Sequence, residues 1–431
     1  LDQATEVLDR LLPKVGVRAP RTELGAFATL LLYRLLLVCR GVGFRERPES
    51  EIPRDRLRQI DVLMSISEPL CLTSLIRGQA LIAQGAWYAL RAGEPRRAVR
   101  ALTGLVASSA VGGTRAGRRT TQLLAAARKQ AANMRDPWTT GRTMLAEGMV
   151  LKLSGQFQRA IEQLGSALDN FAGCQGVRWE SETAQNLMHD SRLWMGDWSH
   201  LSSELPARRQ AAEQRGDLFA AAYLTARVCP VLRLAADRSE EAAEEVTASL
   251  TRWTKRFFNL QHRYALCTWI EIDLYTGNPA SAADRLKTAW PSLRGILFAF
   301  QFARIEMLFY RARIALAMGR DAAALRRAEG DARRLSNEGA AWADALALLI
   351  QATVTQGRGR TSQAIDDLKT AEAALRDCHM HHLAAAAQYR RGGLVGGEEG
   401  SGLTSASSAW MRDQKIVNPA RMADLLAPGS W

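Results

Sequence analysis

The sequence predicts an all-α protein, an α-solenoid of antiparallel helix hairpins with a period of about 41 residues. Three observations predict it. A turn-centred motif recurs at nearly constant spacing, the segments between the turns follow the 3.6-residue period of a helix, and no window alternates as a strand would. The motif is a turn residue, a small residue five positions on, an apolar one at six and another at nine. It reads GEPRRAVRAL from Gly93, GQFQRAIEQL from Gly155, GDWSHLSSEL from Gly196 and DRSEEAAEEV from Asp237. It continues as GNPASAADRL from Gly277, GRDAAALRRA from Gly319 and GRTSQAIDDL from Gly359. From Gly155 onward the turns fall 40 to 42 residues apart.

Each part of the unit has a physical reason. Glycine tolerates the left-handed backbone that closes a helix. The Asp, Asn, Ser or Thr after several turns can cap the next helix, and Pro95 and Pro279 suit a first helical turn. Ala98, Ala160, Ala242, Ala282, Ala324 and Ala364 fill the five-position slot, where a small side chain lets paired helices approach. Phe157, Ala160, Ile161, Leu164, Ala167, Leu168 and Phe171 then repeat on one helical face.

In chain order, residues 1–92 read as an irregular helical cap. It opens on a helix at 2–12, contains the most apolar stretch, Leu24–Cys39, and has a polar loop at 41–55 with two prolines. Arg34 interrupts the apolar stretch, which falls short of a membrane span. Residues 93–390 form the repeat array, widened between Gly93 and Gly155 by a turn at 111–118 and an extra helix at 119–134. Residues 391–431 form a tail: a Gly-rich hinge, GGLVGGEEG, and one capping helix around Ala406–Lys415.

Composition narrows the function. Apolar residues make up 47% of the 431, ample for a buried core. No signal segment is evident at Leu1, and the chain reads as a soluble, cytoplasmic fragment. Six widely spaced cysteines in apolar helical patterns fit free thiols in a reducing compartment. The net charge is +13, yet only seven of the 57 basic residues are Lys, and Arg is dispersed without a run of five. Such dispersion fits solvated helix faces paired with Glu and Asp rather than a nucleic-acid groove.

Cys378, His379, His381 and His382 offer metal-ligand types at helical spacing, but no further ligand lies nearby to complete a zinc shell. GGLVGGEEG lacks the Lys and strand of a phosphate loop, and Glu398 and Glu399 would repel phosphate. The pairs Glu240–Glu241, Glu244–Glu245 and Asp366–Asp367 sit at polar helix positions beside Arg, and no G-x-S-x-G elbow exists. Most of the eleven Trp, including Trp194, Trp198, Trp253 and Trp342, read as core, and a minority as candidates for a binding face. No catalytic, cofactor-binding or metal-binding residue is assigned.

The turn pattern G-[DNQ]-[FW]-x-x-A-[ILV]-x-x-L resembles the tetratricopeptide repeat at its inter-helix turn, with a period longer than the usual 34 residues. The solenoid is therefore TPR-like. RGVGFRERPESEIP (40–53), RRGGLVGGEEG (390–400) and AWMRDQKIVNPARMADLLAPG (409–429) resemble one bacterial family. This is the C-terminal region of multidomain serine/threonine protein kinases that carry a kinase domain, an AAA-type ATPase module and helical repeats. The resemblance implies an ATP-binding kinase as the parent chain and places Trp431 at or near its natural C-terminus. The motifs of kinase and ATPase chemistry are absent from these residues.

The expectation is a non-catalytic protein-interaction or regulatory module, a sensor or scaffold, without cofactor or membrane span. Its partner is a protein or the parent chain's own kinase and ATPase domains. The alternative is the nucleic-acid-associated repeat region of an ATPase-type transcription regulator, motivated by the +13 charge.

Overall fold

In the computed structural model, residues 12–17, 19–20, 22–216, 221, 223–251, 258–319, 321–429 and 431 are described. The helix expected at 2–12 falls almost wholly outside them, as does Trp253. The fold is all-α: among the described residues every regular element is helical and none is a strand. No helix among them is long and apolar enough to cross a membrane.

The chain divides into two compact units. Unit 1 comprises Leu1–Leu153, Glu162–Leu187 and Trp253–Leu260, and unit 2 comprises Ser154–Ile161, Met188–Arg252 and Gln261–Trp431. The helices of the first stretch of unit 1 are α1 (Glu23–Arg40), α2 (Arg54–Thr73), α3 (Leu75–Ala92), α4 (Pro95–Ala110), α5 (Gly117–Met134) and α6 (Pro137–Leu153). Next come α7 (Phe157–Phe171), α8 (Arg178–Met195) and α9 (Trp198–Gln214). A π-helical turn, Leu224–Val228, leads into α10 (Cys229–Ala235), followed by α11 (Ser239–Thr251), α12 (Leu260–Tyr275), α13 (Pro279–Ala299) and α14 (Gln301–Met318). The chain continues with α15 (Ala322–Ser336), α16 (Ala341–Gly357), α17 (Thr361–Asp377), α18 (His381–Val395), α19 (Gly397–Asp413) and α20 (Pro419–Leu426).

The motif positions explain where helices stop. Gly93, Gly155, Gly196, Gly277 and Gly359 lie at φ between 74 and 82°, and Asp237 takes the same place at 60°. The next residue's N–H reaches back five positions, from Asp197 to the Arg192 carbonyl at 3.0 Å and from Asn278 to the Asp273 carbonyl at 2.7 Å. That is the long bond of a Schellman cap, which satisfies a carbonyl the helix leaves open. The slot alanines Ala98, Ala160, Ala242, Ala282, Ala324 and Ala364 are all fully buried, and Leu201 holds the slot after Gly196. Four positions on, Leu102, Leu164, Leu205, Val246, Leu286, Ala328 and Leu368 are buried too.

In unit 1, α2, α3 and α4 enclose Ile60, Met64, Ile82, Ala86 and Leu102. Gly78 and Gly85 on α3 admit α2: a Cβ at Gly78 would lie 2.6 Å from the Cys71 backbone nitrogen. In unit 2, α14 is buried along nearly its whole length. Here contacts are not confined to consecutive helices. Gly155 lies against Trp342, Gly196 against His382, and Arg421 pairs with Asp237 at 3.1 Å. The partner in each case lies 184 to 187 residues away (342−155, 382−196, 421−237).

The tail differs from the sequence expectation of one helix around 406–415. It forms two helices, α19 and α20, and the Gly-rich stretch is not a plain hinge. Gly392 and Gly393 belong to α18, and the break falls at Gly396 and Gly397, with φ of 66 and 61°. The reason is packing: Gly392 and Gly400 bring the backbones of α18 and α19 together, which a side chain at either would prevent.

Candidate interaction surface

Helix α1 is apolar on both sides, a pattern that ordinarily marks a helix buried all round. Its inward face packs Ala26, Leu30 and Leu37 into unit 1. Its polar groups also turn inward. Tyr33 and Tyr88 share a hydroxyl contact at 3.3 Å, Arg34 donates to Gln79 at 2.8 Å, and Arg40 donates to the Leu90 carbonyl at 2.9 Å. Glu23, at the N-terminal end, accepts from Ser74 at 2.8 Å.

The outward face is largely apolar, with the exposed Arg34 at its edge. Leu24, Phe27, Leu31, Leu32, Leu35 and Val38 are 47 to 81% exposed, and the remaining large exposed hydrophobics among the described residues are Met318 and Val417. Concentration on one helix is the informative feature, because scattered exposed leucines are ordinary on any protein surface. Elsewhere in unit 1, an open groove of about 550 Å³ is lined by Arg54, Leu57, Arg58, Asp61 and Arg97. Arg97 there is committed to Asp61 through two contacts of 2.7 Å.

The dispersed arginines are extensively paired. Arg285 meets Asp273 at 2.7 Å and covers Trp269 at 4.3 Å, Arg391 meets Glu372 at 2.8 Å, and Arg96 covers Trp138 at 4.6 Å. Several go inside. In unit 1, buried Arg142 bridges Glu68 at 2.5 Å and Glu180 at 2.9 Å, and Trp179 donates to Glu68 at 3.1 Å. In unit 2, Arg227 on the π-helical turn meets Glu271 at 2.8 Å, and Arg263 pairs with Glu306. Tyr310 donates to Glu271, and Arg313 donates to the Leu425 carbonyl at 2.5 Å. Burial pushes the Tyr223 and Tyr310 phenols well above their ordinary range, which keeps both as donors. The sequence expectation of solvated helix faces paired with Glu and Asp holds here for the pairing but not for the exposure. The partner of Arg142 stands 74 residues away, so no local pattern reveals the pair.

The histidine cluster is a helix-ending turn. His379 takes the left-handed position at φ 58°, and the Met380 N–H returns to the Leu375 carbonyl at 2.8 Å. His379 is exposed, while His382 is buried with its ring 5.5 Å from Trp198. Burial, with Arg313 nearby, holds His382 down to about 3, so its imidazole is neutral. Among the described residues no three His, Cys, Asp or Glu side chains group as a metal shell. Of the carboxylate pairs, Glu241 and Glu245 pair with Arg233, and Asp367 accepts from Thr355 at 2.7 Å. Trp194 and Trp342 are core residues, packed with Phe157 and Phe302 at ring separations of 4.8 to 6.0 Å.

Compared with models of known protein families and with curated proteins, the chain matches none.

Proposed function

We propose that this chain is a non-catalytic protein-interaction module: a TPR-like α-solenoid acting as sensor or scaffold in a bacterial kinase–ATPase signalling protein. The observation that carries the interaction reading is the apolar outward face of α1, which would hold an apolar helical partner. The architecture rests on the turn residues and slot alanines described above. Contacts recurring after 184 to 187 residues suit a superhelix of roughly four and a half hairpins per turn.

The nucleic-acid reading draws only on net charge, and the committed Arg side chains weaken it. Neutralising phosphates needs cations free to displace counterions. One titration series separates the two. A synthetic helical peptide with leucines at heptad spacing should bind the chain, with binding lost in Leu35→Glu and insensitive to salt. Salt-sensitive binding of a random DNA duplex, with no peptide binding, would overturn the proposal. The kinase–ATPase context is tested by reading the coding sequence upstream of Leu1 for a phosphate loop and kinase motifs.

A further inference from the structure

We propose that the outward face of α1 is a homodimer interface, in which the α1 helices of two copies pack antiparallel about a two-fold axis at Leu31. This rests on reading that face as an interaction surface and names its occupant as a second copy of the chain.

Position supplies the first argument. Residues 24, 27, 31, 35 and 38 are separated by three, four, four and three positions, a spacing symmetric about 31. Steps of three and four keep all five on one helical face. A two-fold interface requires that if residue i meets j, then j meets i. Antiparallel packing meets this requirement without adjustment. Leu24 faces Val38 of the second copy, Phe27 faces Leu35, and Leu31 faces itself.

Charge supplies the second. The five positions themselves are uncharged, and the charged side chain beside them, the exposed Arg34, is held by Gln79 at 2.8 Å. Glu23 begins α1 and Arg40 ends it. An antiparallel copy brings the acidic end of each α1 near the basic end of the other, while a parallel copy would set like ends together. Antiparallel helix dipoles also meet head to tail.

Area supplies the third. Covering these five side chains and the neighbouring Leu32 on both copies removes roughly 1,000 Å² or more from water, near the lower end for a stable interface. The expected dimer is therefore reversible, with a mass that depends on concentration.

Sedimentation or light scattering of the full chain, from low to high micromolar, tests this. The mass should double from 47.4 kDa, and Leu31→Glu should keep it at the single-chain value with an unchanged melting temperature. Leu31 is exposed, so loss of the dimer in that variant cannot be charged to misfolding. Leu31→Cys combined with Cys39→Ser should oxidise to a covalent dimer through residue 31. The exposed native Cys39 should not cross-link, because antiparallel pairing sets the two copies of it about 24 Å apart at 1.5 Å rise per residue. A single-chain mass at every concentration would overturn the dimer. Peptide binding that persists in such a monomer would leave the interaction reading standing, with another occupant. A dimer untouched by Leu31→Glu, or one cross-linked through Cys39, would overturn it equally.

Discussion

Gly392 and Gly400 stand backbone to backbone where α18 crosses α19: a Cβ added to Gly392 would lie 2.7 Å from the Gly400 carbonyl oxygen. One added to Gly400 would strike the Gly392 carbonyl in return. Neither obstacle is a side chain that can swing aside, so the helices themselves must separate.

Gly392→Ala and Gly400→Ala should each therefore destabilise the chain by about 1–3 kcal/mol, the range for bulk forced into filled space. Gly393 shares α18 but has open space where its Cβ would go. Gly393→Ala should stabilise by about 0.5–1 kcal/mol through helix propensity alone. Denaturant midpoints for the three variants check the contrast. Equal effects at 392 and 393 would refute the close crossing.

A second contrast concerns the motif slot. Ala160 and Ala364 are fully buried, whereas Arg159 is exposed and reaches only Gln156. Ala160→Trp or Ala364→Trp should cost about 1–3 kcal/mol or more by overpacking. Arg159→Ala should change stability by less than about 0.5 kcal/mol. Thermal melts that leave both Ala variants at the parent's midpoint would show that the slot does not set the helix spacing.

The third prediction concerns acid. An unfolded His382 takes up a proton near 6.5, while the native imidazole, held down by burial, resists until about 3. Above pH 6.5 neither state carries the proton, and the stability is complete. As pH falls from 6.5 toward 3 only the unfolded chain gains the proton, so stability declines by up to about 1.4 kcal/mol per pH unit. His189, also lowered by burial, adds to the same decline. Glu204, pulled down to about 2 by its bond to His189, contributes a further loss only below its ordinary 4.5. Between 4.5 and 6.5 the histidines therefore act alone among these three. His382→Gln should reduce the difference in urea midpoint between about pH 5 and pH 7. An unchanged difference would mean that His382 is accessible to protons in the native chain.

Much of the helical framework was legible because its signals are local. A Gly or Asp that must be left-handed and an alanine five residues later can be read from ten residues, and apart from Gly319, at φ 146°, and Leu201 in the slot after Gly196, they took the expected conformation and burial. What escaped depends on residues far apart. Arg142 and Arg263 look like surface arginines until Glu68 and Glu306 fold against them. Gly392 and Gly400 suggest a hinge because a missing Cβ reads the same whether it frees the backbone or admits a neighbour. The face of α1 was hidden for a similar reason. Arg34 apart, Leu24–Cys39 is apolar nearly all round, and periodicity cannot tell which side lacks a neighbour.

The long-range bonds of unit 2 also set an order in time. The Ala235 carbonyl accepts from the Val417 N–H at 2.8 Å, Ser199 donates its N–H to Gln414 at 3.2 Å, and Arg421 donates to the Tyr275 carbonyl at 3.0 Å. A chain emerging from the ribosome makes Ser199, Ala235 and Tyr275 long before residues 414–421 exist. Arg313 likewise waits more than a hundred residues for the carbonyl of Leu425. Through that interval the unit holds its helices but not the contacts that seal them. Its maturation waits on the emergence of residues 414–425, and a nascent chain stalled short of residue 414 would present chaperones and proteases with an unsealed core.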